Sequence, residues 1–239
     1  MHSVISSNMI IQIHRFLVFF SLVSFFAGQA NSQELSVKTI ELSSFTSVTF
    51  DTIGNLYLIP DSKHRIVIEA EPKLLSKLSV KVQDGKLKIF ANSDFSTDKA
   101  INFKVYLPIL NKLVTRSSGD VQLDTFKVDH LELMVSGSGT VKAAGIKAKS
   151  IKVRLDGASD IELSGSAASL EISNDGAGEV LASNFIVSTA VASLKGSGDI
   201  KLHVLHNLNA SINGSGTIYF QGNPKLVSSI DGVGEIIKQ

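Results

Sequence analysis

The chain has 239 residues, of which 44% are hydrophobic and 19% charged, with 23 lysines and arginines against 22 aspartates and glutamates and no cysteine. The missing thiols exclude a disulfide scaffold, a thiolate zinc site, an iron–sulfur cluster and a cysteine nucleophile. A formal charge of +1 supplies no global basic field, so neither nucleic acid nor an anionic lipid surface is an expected partner.

Arg15 precedes an apolar run from Phe16 to Ala27, and small residues follow at Gly28, Ala30 and Ser32. The run is too short for a membrane-crossing helix, which needs about 20 residues. A charged start, a short apolar run and small residues read as a secretory signal over residues 1–32, cleaved after Ala30 or Ser32. The mature chain, 33–239, then carries no predicted span. No cysteine follows the run, which excludes a lipoprotein anchor. The expected location is the periplasm or the cell surface.

Residues 33–110 hold short alternating or apolar runs at Phe45–Phe50, Leu56–Ile59, Arg65–Ile68, Leu78–Val82, Leu87–Phe90 and Phe103–Leu107. Asp84-Gly85 is a strong hairpin signal, and Gly54 reads as a degenerate corner of the repeat described next. Pro60, Pro72 and Pro108 are expected at strand ends, where a missing N–H is tolerated. This part is expected to be an irregular β cap over one end of the repeats.

From 111 to 239 one unit recurs seven times: a small residue, any residue, a small residue, a polar residue, then Val or Ile. Its third position falls at Gly119, Gly139, Ser159, Gly178, Gly198, Gly216 and Gly234, a period of 18 to 20 residues. Two residues later stand Val121, Val141, Ile161, Val180, Ile200, Ile218 and Ile236. Further apolar columns lie eight, six and four residues before the reference. The four-before column reads Val135, Leu155, Leu194, Ile212 and Ile230. Spacing of two within each flank is strand periodicity, and glycine in every unit opposes helix. The prediction is an all-β fold, a single-stranded parallel β-helix (β-solenoid) of seven coils with an irregular β N-terminal cap. Each coil buries its apolar ladder against its neighbours. An antiparallel sandwich or barrel is the alternative, disfavoured because the flanks return in the same order and sense. The small-x-small corner is expected to use positive φ and to let coils approach closely. Replacing Gly198 by Val is accordingly expected to cost on the order of 1–3 kcal/mol through backbone strain.

The succession of Phe45-Thr46-Ser47-Val48, Gly54, Asp84-Gly85-Lys86-Leu87-Lys88-Ile89, Tyr106-Leu107-Pro108-Ile109-Leu110 and the serial corners closes with Tyr219-Phe220-Gln221-Gly222-Asn223-Pro224. This order resembles the putative auto-transporter adhesin, head GIN domain family, across nearly all of the mature chain. The resemblance implies a right-handed β-helix in an exported protein of a Gram-negative-type bacterium, with an adhesion role and no catalytic or binding residues to carry over. No translocator barrel follows in this sequence, so another component is expected to bring the protein to the surface.

Candidate chemistry is sparse. Gly-x-Gly corners run into Val or Ile strands rather than a helix, and lack the third glycine of a dinucleotide fingerprint. The polar residue after each corner forms a column: Asp120, Thr140, Asp160, Glu179, Asp199, Thr217 and Glu235. Asp160, Glu179 and Asp199, stacked at about 4.8 Å, are the candidate metal ligands, for a cation such as calcium. The other reading of the column is a solvated acidic edge that discourages sheet pairing. Lys147, Lys149, Lys152 and Arg154 form a local basic group suited to acidic polysaccharide, or are ordinary outward charges. His203 and His206 are three apart, which on a strand sends them to opposite faces and opposes a shared metal. Ser117, Ser136 and Ser138 have no His–Asp partner nearby in sequence. No catalytic residue, no cofactor and no cofactor-binding residue is assigned.

The expected function is that of an exported non-enzymatic adhesin or envelope module that binds a glycan or a cell-surface protein. A polysaccharide-processing enzyme is disfavoured, because coils of 18 to 20 residues leave no loops to build a catalytic groove. A structural module that assembles through its coil ends is the third reading. Absent tryptophan removes one common sugar-stacking residue.

Overall fold

In the computed structural model, residues 35–239 are described; the predicted signal segment lies outside them. The strands are β1 (Ser36–Glu41), β2 (Ser47–Asp51), β3 (Asn55–Pro60), β4 (Arg65–Ala70), β5 (Leu78–Gln83), β6 (Lys86–Ala91), β7 (Asn102–Leu107), β8 (Lys112–Thr115), β9 (Val121–Leu123), β10 (Lys127–Val135), β11 (Thr140–Leu155), β12 (Asp160–Asn174), β13 (Val180–Leu194), β14 (Ile200–Ile212), β15 (Thr217–Gln221), β16 (Lys225–Ile230) and β17 (Glu235–Lys238). One helical turn, α1 (Pro72–Leu75), follows β4.

Parallel pairing stacks these strands into a β-solenoid, as the translation of the repeat predicts. On one face, Leu133 of β10 pairs with Leu113 of β8 and Val153 of β11, and the column continues through Ile172, Ala192, Ala210 and Ser228. On the second face Val121, Val141, Ile161, Val180, Ile200, Ile218 and Ile236 pair in turn. Strands β11 to β14 each run along the second face, around a bend and onto the first face of the next coil. The apolar columns fill the interior: Leu113, Leu133, Val153, Ile172 and Leu194 are all at most 1% exposed.

The corner connecting the first face to the second keeps constant length, and so do the faces. All the irregularity in the period lies in the other bend. Val121 precedes Leu133 by 12 residues, whereas Ile200 precedes Ala210 by 10. The ladder shifts register there, between Ala143 and Ile146, between Glu162 and Ser164, and after Ala182.

The reason for glycine at the corners differs from one half of the expectation. The corner glycines from Gly119 to Gly234 do not have left-handed φ. Instead each coil lies almost directly on the one before. A Cβ on Gly139 would overlap the Gly119 carbonyl oxygen, and one on Gly119 the carbonyl of Gly54. Close approach is the whole requirement. Gly54 alone in this column adds a positive φ of 123°, and it is the earlier corner read from sequence.

Residues 35–110 are more regular than an irregular cap. They contain two further coils, β2–β3 and β6–β7, in parallel register with the rest. Their spatial order is inverted. The coil β2–β3 lies between β6–β7 and β8–β9, so the chain moves outward through β4, α1 and β5 and then steps back over one coil. Asn111 marks the return, its N–H donating to the Thr46 carbonyl at 2.8 Å. Antiparallel strands finish this end: β5 on β6 through the Asp84-Gly85 turn, where both residues have positive φ, β4 on β7, and β1 on β4. Pro60 and Pro108 stand at strand ends as expected, but Pro72 opens α1, where its missing N–H is also harmless.

Buried Glu71, 4% exposed, ties the 93–101 segment to this end. Thr97 donates its hydroxyl to the Glu71 carboxylate at 2.8 Å. That hydrogen bond, assisted by Lys73, holds the carboxyl below the ordinary glutamate value of 4.5. A depressed folded pKa means the contribution is complete above that value and is lost as pH falls through the lower, folded one. Glu71→Gln should therefore flatten the acid limb of a melting-temperature profile below pH 4.5. An unchanged acid limb in thermal denaturation would exclude this role.

Candidate functional site

The first face carries a trough parallel to the solenoid axis. Strand alternation turns every second residue outward, so the inward apolar columns leave an outward column of His130, Ser150, Ser169, Thr189 and Asn207, paired coil to coil. Three hollows join along it. One of about 690 Å³ is bounded by Ile109, Lys127, Lys147 and His130. It shares Asn111 and His130 with a hollow of about 570 Å³ lined by Ser150, Ser169 and Thr189. That in turn shares Thr189 and Val191 with one of about 310 Å³ that reaches Asn207 and Lys225. Small hydroxyl and amide side chains supply donors and acceptors along a floor that Val128, Ala148, Ala190 and Val191 make apolar elsewhere. His130 Nδ1 and Ser150 Oγ are 2.7 Å apart, which fixes the ring at one end.

Charges along the edge are neutralised in pairs. The neighbouring outward column alternates Lys112, Glu132, Lys152 and Glu171, with Lys112–Glu132 at 2.8 Å and Lys152–Glu171 at 2.7 Å. The Glu171 hydrogen bond raises the Lys152 pKa. Beyond Glu171 this column becomes Val191, Asn209 and Val227 and loses its charge, while the floor column ends in Lys225 beside Asn207. The predicted basic group is largely neutralised. Lys149 pairs with Asp129 at 3.0 Å, and Arg154 pairs with Asp156 at 2.8 Å and Asp175 at 2.9 Å. Asp156, then Asp175, holds the guanidinium pKa above its usual value. Of the four cations, Lys147 has no ion pair among the described residues, and it stands beside Lys127 in the ladder.

The family model described as "Putative auto-transporter adhesin, head GIN domain" matches residues 44–224. The chain belongs to that family. Solved structures similar to this head GIN domain include a putative adhesin from Bacteroides fragilis, 24% identical, with a TM-score of 0.84 over 87% of this chain and 98% of that one. A putative adhesin from Parabacteroides merdae is 22% identical, with a TM-score of 0.69 over 87% and 97%. A putative lipid binding protein from Parabacteroides distasonis is 21% identical, with a TM-score of 0.67 over 87% and 98%. No curated protein matches the chain. At these identities the structures bear on the solenoid fold alone.

The acidic column of the head GIN domain is put to structural use. Asp160 accepts the Glu179 N–H at 2.9 Å, Asp199 accepts the Thr217 N–H at 2.8 Å, and Asp120 accepts the Thr140 N–H at 3.0 Å. Each aspartate thus satisfies a backbone donor one coil away. Glu179, between two of them, faces Lys201 at 3.4 Å. No group of three or more His, Asp or Glu able to hold a metal is found among the described residues. Ser117 is likewise a corner residue, its Oγ accepting the Gly119 N–H at 3.0 Å, while the Ser136 hydroxyl donates to the Thr115 carbonyl.

Asn174 carries a role the sequence did not reveal. It occupies the four-before column between Leu155 and Leu194, is fully buried, and bridges its own corner. Its Nδ2 donates to the Gly178 carbonyl at 2.8 Å, and its Oδ1 accepts the Gly176 N–H at 3.1 Å. Thr115, four residues before Gly119, is the other buried polar member of that column, and the two gaps in an apolar series were the available signal.

Proposed function

We propose that this head GIN domain is an exported, non-enzymatic adhesin that lays a linear glycan along the trough of its first face. The observation that carries the reading is the outward column His130, Ser150, Ser169, Thr189 and Asn207, which offers one polar side chain per coil at a pitch of about 4.8 Å. That pitch is close to the repeat of one sugar unit in an extended polysaccharide. An extended peptide advances about 3.3 Å per residue and falls out of step with it. The hydroxyl and amide side chains of the floor can meet sugar hydroxyl groups, and the apolar Ile109, Val128, Ala148 and Val191 that line the same hollows can meet the C–H face of a sugar ring. Export would remove residues 1–32 or 1–30, and the N-terminal sequence of the exported protein checks it. Among the described residues no helix is long and apolar enough to cross a membrane.

Glycan-array and whole-cell binding test the proposal. Ser169→Arg places a long side chain across the middle of the trough and should weaken glycan binding about tenfold or more without changing the melting temperature. Binding that survives this change removes the trough from the function. Release of new reducing ends or unsaturated product from a bound polysaccharide would instead establish an enzyme.

A further inference from the structure

Among the described residues, the interior of the solenoid is covered at one end and exposed at the other. Beside β6 and β7 it is closed by β4, β5 and the buried Leu74 of α1. On β16 it is not. Leu226 and Ile230 hold inward columns in which Leu208 and Ile212 are 1% exposed, yet they are 39% and 49% exposed themselves.

The backbone at this edge is also available. Alternate residues of a parallel strand turn both backbone groups to one neighbour. Asp231 donates its N–H back to the Ile212 carbonyl. By that alternation Lys225, Val227 and Ser229 face β14, while the N–H and C=O of Leu226, Ser228 and Ile230 face away from it. Edges of this kind are normally blunted by proline, bulges or charged side chains; Pro224 and Lys225 stand only at the start of β16, and Leu226 to Ile230 have none of these.

We propose that β16 is the interface of a closed two-fold dimer, pairing antiparallel with β16 of a second copy about an axis through Ser228. This register is self-complementary. Leu226 faces the second copy's Ile230 in the interior, twice, and Lys225 faces the second copy's Asp231 on the outside, twice. A shift of one pleat sets Leu226 against Ser228 and Lys225 against Ser229, losing both matches. Because the other end is covered, the contact is isologous and stops at two copies rather than growing into a fibre.

The native chain has no cysteine, so single thiols report the register. Directly opposed residues in the hydrogen-bonded pair of an antiparallel ladder have Cα atoms about 5.5 Å apart, within disulfide range. Ser228→Cys should oxidise to a covalent dimer. Lys225→Cys should not, since its two copies would be about 20 Å apart along the strand. Light scattering of the purified exported chain should show a mass approaching twice that of one chain as concentration rises. Lys225→Glu should weaken the dimer about tenfold or more, and adding Asp231→Lys should restore it. A monomer at all concentrations, a growing polymer, or cross-linking through Lys225→Cys in place of Ser228→Cys would each overturn the proposal.

Discussion

Replacing Gly198 by Ala should lower stability by about 2–4 kcal/mol, and Val should be worse. In a chain of this size that is a fall of about 5–15 °C in melting temperature. The cause is not backbone strain, because Gly198 does not have the positive φ that would make it so. The added Cβ would overlap the Gly178 carbonyl oxygen of the coil below. That oxygen belongs to a corner whose own glycine rests on Ser159 in the same way. The stack therefore cannot yield at one level without disturbing the ladder hydrogen bonds on both faces. Gly85 supplies the contrast. Nothing lies within 4 Å of its missing Cβ, but its φ is +69°. Gly85→Ala should cost only about 1 kcal/mol, the penalty of a left-handed residue. Thermal denaturation of the two variants separates close approach from conformational freedom. Equal losses would refute the assignment of the corner.

Asn174→Ala should cost about 2–4 kcal/mol, from a cavity and from a buried carbonyl and a half-buried N–H left without partners. Asn174→Leu restores the residue type found at Leu155 and Leu194 in the same column. It fills the cavity but still orphans the Gly178 carbonyl and the Gly176 N–H, so its loss should be smaller than that of Ala. Chemical denaturation measures both. If Leu proves as damaging as Ala, the hydrogen bonds rather than the volume set the cost at this site.

Most of the architecture was legible because a solenoid writes its contacts into its period. Residues that stack in space, such as Val141 on Val121, occupy equivalent places in successive units, so aligning the units displays the core. The Asp84-Gly85 hairpin and the Gly54 corner were readable from local turn chemistry alone. The inverted order of the first two coils was not, since repeat alignment takes neighbours in sequence to be neighbours in space. Antiparallel pairing of β4 and β5 carries the chain past that assumption. The trough escaped for another reason. Its floor column lies nine residues before each corner reference, so the repeat alignment contains it, but apart from His130 it is made of serine, threonine and asparagine, residues that any exposed strand face carries and that carry no signal of a site by type. The acidic column was visible as charge, but the aspartates' hydrogen bonds to backbone N–H groups in the next coil depend on side-chain direction.

The bend between Val121 and Leu133 and its successors, where residues are gained or dropped, leaves the two faces and the tight corner unaltered. A change in the length of one winding is therefore absorbed in that bend, while the tight corner and both stacked faces keep their spacing. Each winding adds a single rung to the polar line of the first face. The extent of that line is set by a count of windings, like the marks on a ruler, and not by the shape of any one pocket.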